Sequence, residues 1–321
     1  CVMKFDDPEF MTQIYDFESL PKFDIERSCL TIGNFDGVHL GHQALIKTLI
    51  NKAHLVGAAV VVVTFYPNPV TFFKPDLNSF YLSTPQEKEA FLVDFGVDKV
   101  VTFAFDHHFA NLTAREFLGG MKEKLGLQLL VVGPDFALGK NRQGTIPVIQ
   151  SIGQEIGFNL ELMEPVSLGE EEISSTRVRA LLDAGDVVGA AKLLGRTYEI
   201  SGIVEHGSDR GASIGLPTAN IKQWKKKKLP GVGVYATETI YKGELYLGIT
   251  NVGYRPTFED QDEPNVETYI LDFNRDIYGD RLTLKFIEKL RDEEKFRSLE
   301  AFLEQIERDK IAAREIFRNE R

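Results

Sequence analysis

Two histidines, His39 and His42, stand three residues apart in the glycine-rich segment GNFDGVHLGH, residues 33–42. A short apolar run precedes this segment and an amphipathic stretch follows it, which predicts the strand-to-helix junction where α/β folds bind phosphates. Both rings can aim N–H groups at a triphosphate there, while Gly37 and Gly41 let backbone and ligand approach closely. A core histidine or a metal pair is the alternative, but the other four histidines lie in no ligand spacing. We therefore interpret the segment as a phosphate-binding loop.

A second segment, ISSTRVR at residues 173–179, is rich in hydroxyl groups. It follows the last predicted parallel strand and opens a helix, so its hydroxyls and backbone amides can receive an anion. Taken alone, the segment is better explained by simple helix capping, because Ser and Thr are common at helix starts whatever the function.

Glycines are dense in a β-rich region from residue 202 to residue 220, which ends in IGLPTAN. Such glycines indicate a backbone close to something bulky, although a hairpin turn explains them equally well. Two other glycine patterns are rejected as nucleotide sites. The segment at residues 133–141 has the wrong spacing for a P-loop and carries Asn141 in place of Ser or Thr, and residues 231–236 lead into a strand instead of a helix.

The elements that must position these residues differ between the two halves of the chain. From residue 29 to residue 163, short β-branched runs alternate with amphipathic stretches, which predicts a parallel sheet with crossover helices. Thr84 and Thr113 each precede a Glu by three residues, so both are expected to cap helices. The predicted strands are residues 29–32, 59–65, 99–103, 128–132 and 159–163, with four helical stretches between them.

After residue 195, short strands separated by turn residues predict an antiparallel sheet or small barrel, followed by an amphipathic helix capped by Ser298. We place the domain boundary so that one domain spans residues 11–186 and the other spans residues 187–321. Residues 1–10 are expected to be a vector-derived leader that precedes Met11. The predicted strands of the second domain are residues 198–204, 234–240, 245–250, 266–273 and 282–286.

The composition argues against several classes of function. The chain has 37 basic and 48 acidic residues and a formal charge of −11, which disfavours a broad grip on nucleic acid. The longest apolar run, residues 58–65, is too short to cross a bilayer. Two cysteines give no disulfide framework and fit a reducing compartment, so the expected location is the cytoplasm. We expect a monomer without a nucleic-acid or membrane partner.

Together, the histidine segment and ISSTRVR resemble the HxGH and ISSTxxR motifs of a nucleotidyltransferase superfamily. Within it, the histidine segment and residues 64–69 and 133–144 are similar to the FMN adenylyltransferase half of bacterial bifunctional FAD synthetases. The PTAN sequence, with residues 251–258 and 290–296, resembles the riboflavin kinase family. These motifs occur in the family's order over nearly the whole chain.

The resemblance implies an α/β plus β architecture. A Rossmann-like HxGH nucleotidyltransferase domain with a parallel sheet would be followed by an antiparallel β-barrel riboflavin kinase domain with a terminal helix. The second domain would phosphorylate riboflavin to FMN with ATP. The first would adenylylate FMN to FAD with release of pyrophosphate, and both would use Mg²⁺.

The resemblance also implies which residues bind each substrate. In the first domain, ATP would be bound by Gly33, Phe35, Asp36, Gly37, His39, His42, Ser174, Ser175 and Arg177, and the flavin by Pro67, Asn68 and Asp135. In the second domain, ATP and the flavin would be bound by Gly207, Arg210, Gly215, Pro217, Thr218, Asn220, Asn251 and Arg291. Thr218 and Asn220 would also hold Mg²⁺.

The two reactions make different chemical demands. The phosphate of FMN is already an anion and needs no base, so His39, His42 and Arg177 would act by stabilising charge on the phosphates. The hydroxyl of riboflavin does need a proton acceptor, and the resemblance makes Glu267 that base. Without the companion motifs, Glu267 would be interpreted as an exposed partner of a lysine. Arg291 can lie by the flavin or form a surface ion pair.

Two other functions remain open from the sequence. The family commonly has His where this chain has Asn68, so the first domain can instead be a flavin or nucleotide sensor beside a single kinase activity. An RNA-binding protein is the other alternative, since helix-start histidine motifs also occur in aminoacyl-tRNA synthetases. Apart from four lysines at residues 225–228, which we interpret as a solvated loop, no basic stripe supports that hypothesis.

Overall fold

The computed structural model describes residues 12–77, 79–164, 167–168, 171–206, 216–254 and 264–319. The chain divides into two compact units, one reaching as far as Ser175 and the other beginning at Thr176. This division falls before the predicted boundary at residue 186, which stays a prediction. The expected leader and three predicted binding residues, Gly207, Arg210 and Gly215, lie outside the described residues.

The first unit is built on a six-stranded parallel sheet in the order β1-β4-β3-β2-β5-β6, which confirms the predicted fold class. In β3, Val61 and Val63 pack into one core while Val60 and Val62 pack into another, so the strand is buried on both faces, as parallel strands usually are. The strands are β1 (Ile14–Tyr15), β2 (Ser28–Ile32), β3 (Ala59–Tyr66), β4 (Lys99–Ala104), β5 (Leu127–Val132) and β6 (Asn159–Leu162).

Helices occupy all four predicted crossovers between the strands. The capping boxes at Thr84 and Thr113 are both formed, which confirms the two predicted helix starts. The helices are α1 (Leu40–Val56), α2 (Pro69–Phe73), α3 (Pro85–Asp94), α4 (His107–Ala110), α5 (Ala114–Leu125) and α6 (Ile146–Ile156). A short antiparallel pair, β7 (Ser167–Leu168) and β8 (Glu171–Glu172), follows β6.

The strand order reverses beside β2. From β2 the chain continues through α1 to β3 on one side, whereas β5 lies on the other side and continues to β6. In open α/β sheets, ligands bind in the crevice at such a reversal, beyond the carboxyl ends of the strands. Residues 33–39 join β2 to α1 and therefore lie at this crevice.

The second unit contains a closed six-stranded antiparallel barrel in the order β10-β13-β12-β11-β14-β9. Its strands are β9 (Tyr198–Glu205), β10 (Ala219–Gln223), β11 (Gly233–Tyr241), β12 (Glu244–Tyr254), β13 (Pro264–Ile270) and β14 (Arg281–Arg291). Helices α7 (Ser175–Asp183) and α8 (Val187–Leu194) precede the barrel in sequence, and α9 (Leu299–Asn319) follows it. The hydroxyl of Ser298 accepts a hydrogen bond from the N–H of Ala301 at 3.2 Å, as its predicted capping role requires.

Strand β10 was absent from the sequence-based prediction. It has five residues and follows a segment of glycine and proline, which indicates a loop when the sequence is considered alone. The strand pairs with β9 on one side and β13 on the other, and so closes the barrel.

In the described ranges of both units, none of the helices combines the length and apolar character that a bilayer-spanning segment needs.

Candidate functional site

His39 and His42 lie together at the start of α1. His39 is the N-cap residue, and its Nδ1 accepts a hydrogen bond from the backbone N–H of His42 at 3.4 Å. The two rings stack with their centroids 3.6 Å apart. Because Nδ1 of His39 is an acceptor, a neutral ring carries its proton on Nε2, from which it can be donated to an anion. The N-terminal end of the α1 dipole adds positive potential at the same place.

The ring of His42 is in an environment that disfavours charge. Burial, followed by the neighbouring His39 and Lys88, holds the pKa of His42 well below its ordinary value, so the ring is neutral at physiological pH. Its Nδ1 is buried and has no hydrogen-bond partner among the described residues. A buried nitrogen of this kind fits a position where a ligand group completes the hydrogen bonding.

The loop between β2 and α1 has a strained backbone that neighbouring contacts hold in place. Phe35 and Val38 have positive φ angles of 47° and 39°, which non-glycine residues seldom adopt. The carboxylate of Asp36 accepts hydrogen bonds from the backbone N–H groups of Leu82 and Ser83 at 3.0 and 3.2 Å. Asp36 therefore anchors the loop through its carboxylate, and its contact with ATP stays a prediction.

The loop also contacts the hydroxyl-rich segment that lies far away in the sequence. The hydroxyl of Ser175 donates a hydrogen bond to the backbone carbonyl of Asp36 at 2.9 Å. A side chain at Gly41 would approach the His39 ring to 3.2 Å and the carbonyl of Ile173 to 3.5 Å, so this packing favours glycine. The fold therefore brings the two predicted phosphate-binding segments together.

A buried lysine that belongs to neither segment lies beside the loop. Lys88 is 8% exposed, and its Nζ donates hydrogen bonds to the carbonyl of Asn34 at 3.1 Å and to Oγ1 of Thr64 at 2.8 Å. Burial lowers the pKa of Lys88 to about 8, against the opposing effect of Asp36. Keeping this ammonium charged at neutral pH costs the folded state about 3 kcal/mol. The sequence-based prediction did not include this residue.

Of the three residues predicted to hold the flavin, two are adjacent just before α2 and the third lies after β5. Asn68 is 5% exposed and caps α2, since its Oδ1 accepts the backbone N–H of Val70 at 2.9 Å. Pro67 precedes it in a cis peptide bond with Tyr66, and Asp135 is exposed in the loop after β5.

Of the remaining predicted residues, Gly33 and Gly37 lie in the loop after β2, Ser174 adjoins Ser175, and Arg177 lies on α7 in the second unit. Their roles toward flavin or ATP stay predictions.

Glu267 lies in the middle of β13, where successive residues face opposite sides of the barrel wall. Val266 and Thr268 are fully buried, whereas Glu267 is half-buried on the other face. Its register partners are Asn220 on β10 and Asn251 on β12. The carboxylate therefore stands in a row of amide side chains across three strands.

Asn265 was also missing from the sequence-based prediction. It precedes Glu267 by two residues and so shares its face of the strand. Its Nδ2 donates a hydrogen bond to Oε1 of Glu267 at 2.6 Å and contacts Oδ1 of Asn220 at 3.4 Å. On the neighbouring strand, Nδ2 of Asn251 donates to Oε1 of Glu293 at 3.2 Å. These hydrogen bonds restrict the orientation of the polar row.

Two cavities lie in this part of the barrel, and the first adjoins the row. The first, of about 250 Å³, is lined by the predicted residues Thr218, Asn251, Glu267 and Arg291, together with Tyr269, Phe296, Phe302 and Ile306. The second, of about 140 Å³, is lined by the predicted residues Pro217 and Thr218, together with Phe273 and Tyr278. Because Thr218 lines both cavities, ligands in the two cavities can meet at this residue.

Arg291 makes a bidentate ion pair with Asp309 on α9, at N–O distances of 3.1, 3.1 and 2.9 Å. Asp309 is 3% exposed, and Gln305 donates a further hydrogen bond to its Oδ1 at 2.8 Å. The carboxylate of Asp309 is therefore buried while Arg291 is partly exposed, so the pair differs from the surface ion pair that the sequence left open. It ties α9 to β14 at the wall of the larger cavity.

Replacing Asp309 by Ala is expected to lower the free energy of unfolding by about 1–3 kcal/mol, because Arg291 and Gln305 would lose the buried carboxylate to which both donate. Urea unfolding followed by circular dichroism measures this loss. The matched control is Glu307→Gln, which removes an exposed carboxylate that pairs with Lys310 on the same helix and should cost less than about 1 kcal/mol. Equal stability of the two variants would contradict a structural role for the ion pair.

The described residues include no group of three or more His, Cys, Asp or Glu side chains arranged to hold a metal ion. Thr218 directly precedes β10 and Asn220 is the second residue of that strand, so a continued two-residue period would put their side chains on one face. Hydroxyl and amide oxygens are hard donors that suit Mg²⁺, which usually completes its shell with water and substrate phosphates. The donor set therefore fits a magnesium ion that binds together with ATP.

Two family models match the chain, one for each unit. The model described as FAD synthetase matches residues 22–177, and the model described as riboflavin kinase matches residues 194–317.

Comparison with curated proteins gives relatives that share both parts. The chain is 40% identical to the bifunctional riboflavin kinase/FMN adenylyltransferase of Pseudomonas fluorescens, over 90% of this chain and 93% of the relative. It is 38% identical to the protein of the same name from Escherichia coli K12, over 96% and 98% of the two chains. A crystal structure of a macrolide-efflux protein from Streptococcus pneumoniae superposes with a TM-score of 0.84 at 31% identity, over 92% of this chain and 97% of that one.

Proposed function

The chain belongs to the bifunctional riboflavin kinase/FMN adenylyltransferase family, and we propose that its two compact units hold the two active sites. The enzyme phosphorylates riboflavin to FMN with ATP, and it transfers AMP from ATP to FMN to give FAD and pyrophosphate. One observation carries the assignment of the sites. His39 and His42 lie on the phosphate loop of the first unit, whereas Glu267 lies on the barrel of the second.

In the first unit, the phosphate of FMN attacks the α-phosphorus of ATP, and the bond to the β-phosphate oxygen breaks. The nucleophile is already an anion, so the site has to stabilise negative charge and does not have to remove a proton. Backbone N–H groups at the start of α1 and the Nε2–H of His39 serve this purpose as pyrophosphate leaves. His42, which burial keeps neutral, contributes a hydrogen bond instead of a charge. The proposed ATP contacts of Ser174, Ser175 and Arg177 rest on their sequence motif.

In the second unit, Glu267 accepts the proton of the terminal hydroxyl of riboflavin. The hydroxyl oxygen then attacks the γ-phosphorus of ATP, and ADP leaves. Asn265 limits rotation of the carboxylate through its hydrogen bond to Oε1. The apolar wall of the larger cavity, which includes Phe302, suits the flavin ring, whereas the smaller cavity beyond Thr218 has room for only part of ATP.

We propose that Thr218 and Asn220 hold Mg²⁺ together with the ATP phosphates. The ion, when bound, neutralises charge on the phosphoryl group that is transferred. Asn220 pairs in register with Glu267, which supports a proposed metal ligand next to the proposed proton acceptor. In the first unit, the ion is expected to arrive as the ATP complex.

Replacing Asn220 by Ala is expected to raise the Mg²⁺ concentration for half-maximal FMN formation by about tenfold, because one oxygen ligand is lost. FAD formation from supplied FMN should keep its Mg²⁺ dependence, so the first unit is the internal control. Excess EDTA should abolish both reactions, and added Mg²⁺ should restore both. A variant whose FMN formation keeps the original Mg²⁺ dependence would remove Asn220 from the metal site.

A chromatographic time course with riboflavin, ATP and Mg²⁺ tests the proposed sites as a pair. The protein is expected to form FMN first and FAD second. Accumulation of FMN without any FAD would instead support a sensor role for the first unit.

We also propose that the protein acts as a cytoplasmic monomer without a nucleic-acid partner. The formal charge of −11 supports the second part of this proposal, and Cys29, a free and buried thiol, fits a reducing compartment. Light scattering during size-exclusion chromatography measures the oligomeric state, and a mass near 72 kDa, about twice that of one 36.2 kDa chain, would show a dimer.

A further inference from the structure

The contacts of Lys88 join three elements of the first unit. Its ammonium on α3 donates to the backbone carbonyl of Asn34 in the loop after β2 and to the hydroxyl of Thr64 near the end of β3. The hydroxyl of Thr64 in turn donates to the same carbonyl of Asn34 at 3.1 Å. The three groups therefore form a closed triangle that holds the loop at its second residue.

The position of this triangle matters because the next residues adopt uncommon backbone conformations. Phe35 follows Asn34 directly and has a φ of 47°, and Gly37 has a φ of 78°. Such conformations persist when surrounding contacts determine them. Other contacts hold the loop further along, such as the 3.1 Å hydrogen bond from the N–H of Gly37 to Oγ of Ser83. Lys88 holds the beginning of the loop, at Asn34.

A neutral donor could hold the carbonyl of Asn34 with a smaller desolvation penalty. The positive charge of Lys88 therefore calls for a reason beyond anchoring. The ionisable groups that face it are Asp36 from the loop, which favours the charged ammonium, and His42 from α1, whose protonation the ammonium disfavours. His39 stacks on His42 and completes this group. A buried cation at a proposed triphosphate site is unscreened by solvent, so it acts strongly on a bound anion.

We propose that Lys88 is a positioning residue for adenylyl transfer, which fixes the phosphate loop at Asn34 and adds positive charge to the ATP site. The inference rests on the proposed function of the first unit. Lys88 lies outside both sequence motifs, on α3, which is part of the crossover from β3 to β4.

The charge of Lys88 has a defined pH dependence. With a pKa of about 8, the ammonium is charged below that pH and becomes neutral as the pH rises above it. Its contribution to ATP binding should therefore decline from about pH 8 upward. Arginine stays charged throughout the accessible range, so a Lys88→Arg protein should not show this decline.

The test measures kcat/KM for ATP in FAD formation from supplied FMN, between pH 7 and pH 9.5. Lys88→Met is expected to lower kcat/KM by up to about 100-fold at pH 7, because a displacement of the phosphate loop by about 1 Å is enough for such a loss. The kcat/KM of the unchanged protein divided by that of Lys88→Met should then shrink above pH 8. Because both proteins use the same substrates, this ratio cancels any titration of the substrates. Lys47→Met, which removes an exposed lysine on α1, is the matched control and should leave both values unchanged.

Thr64→Val removes the hydroxyl that completes the triangle but leaves the ammonium and its hydrogen bond to the carbonyl of Asn34. This variant is expected to keep the decline above pH 8 even if its rate is lower. Should the first unit of Lys88→Met fail to fold, as judged by circular dichroism, the pH profile of Lys88→Arg decides the question. A decline near pH 8 in Lys88→Arg that parallels the unchanged protein would overturn the proposal.

Two further outcomes would contradict the role of Lys88 without contradicting the proposed function of the first unit. The first is a Lys88→Met protein with normal kcat/KM at pH 7, and the second is a loss that is equal at every pH. Failure of the underlying function has a different signature, namely normal FAD formation by a His42→Ala protein. FMN formation from riboflavin in the same preparations measures the second unit and should be the same in every variant.

Discussion

Replacing Glu267 by Gln is expected to lower FMN formation from riboflavin by about 10²- to 10⁴-fold, the usual contribution of a positioned proton acceptor. Glutamine has nearly the shape of glutamate and can still accept the hydrogen bond from Asn265, but it cannot take the proton of the riboflavin hydroxyl. FAD formation from supplied FMN should be unchanged, because that reaction takes place in the other unit and needs no base. Initial rates of both reactions, measured on the same preparation, give the comparison.

The control for this variant is Glu288→Gln, which changes an exposed glutamate on β14 of the same barrel. It should leave both rates unchanged. An equal loss of both activities in Glu267→Gln would indicate damage to the fold instead of the loss of a base. Normal FMN formation by Glu267→Gln would mean that another group accepts the proton.

The opposite pattern is expected for His42→Ala. FAD formation from FMN should fall by about 10²- to 10³-fold, the loss typical for removal of one donor that stabilises developing negative charge. The substitution also removes the ring that stacks on His39, so the second histidine loses part of its support. FMN formation from riboflavin should be unchanged.

His54→Ala is the matched control, because His54 is exposed near the other end of the same helix. Its effect on FAD formation should be negligible. If His42→Ala instead kept normal FAD formation, the ATP phosphates would have to lie elsewhere than at the start of α1.

The fold was largely predictable because periodicity and helix capping are local properties of the sequence. The apolar run in β3 and the threonine caps of α3 and α5 are enough to indicate a parallel sheet with crossover helices. Four short strands were missed: the adjacent pair β7 and β8, and β1 and β10, which have two and five residues. Strands this short are defined by the neighbours with which they pair, and β1 and β10 each pair with a strand that is distant in the sequence.

The site was predictable in its motifs and less so in its supporting contacts. The hydrogen bond between Ser175 and Asp36 joins segments 139 residues apart, so no local pattern can indicate it. Lys88 did leave a signal, since the buried residues of α3 are Pro85, Lys88 and Leu92, three and four residues apart on one helix face.

The same contrast between motif residues and their supporting contacts holds in the second unit. Asn265 shares the strand face of Glu267 through the two-residue period, and this spacing could have identified it. The partner of Arg291 could not be identified in this way, because Asp309 reaches it only when α9 packs against the barrel. The sequence thus indicated the proposed reacting groups but not the contacts that orient Glu267 and Arg291.

A mixing experiment tests most directly whether the chain carries two separate active sites. Within a time in which the unchanged protein completes both reactions, Glu267→Gln alone should make little of either product from riboflavin, and His42→Ala alone should accumulate FMN. An equimolar mixture of the two proteins with riboflavin, ATP and Mg²⁺ is predicted to form FAD, because FMN released by one variant is adenylylated by the other. A mixture that stops at FMN, although Glu267→Gln converts supplied FMN to FAD, would contradict the account.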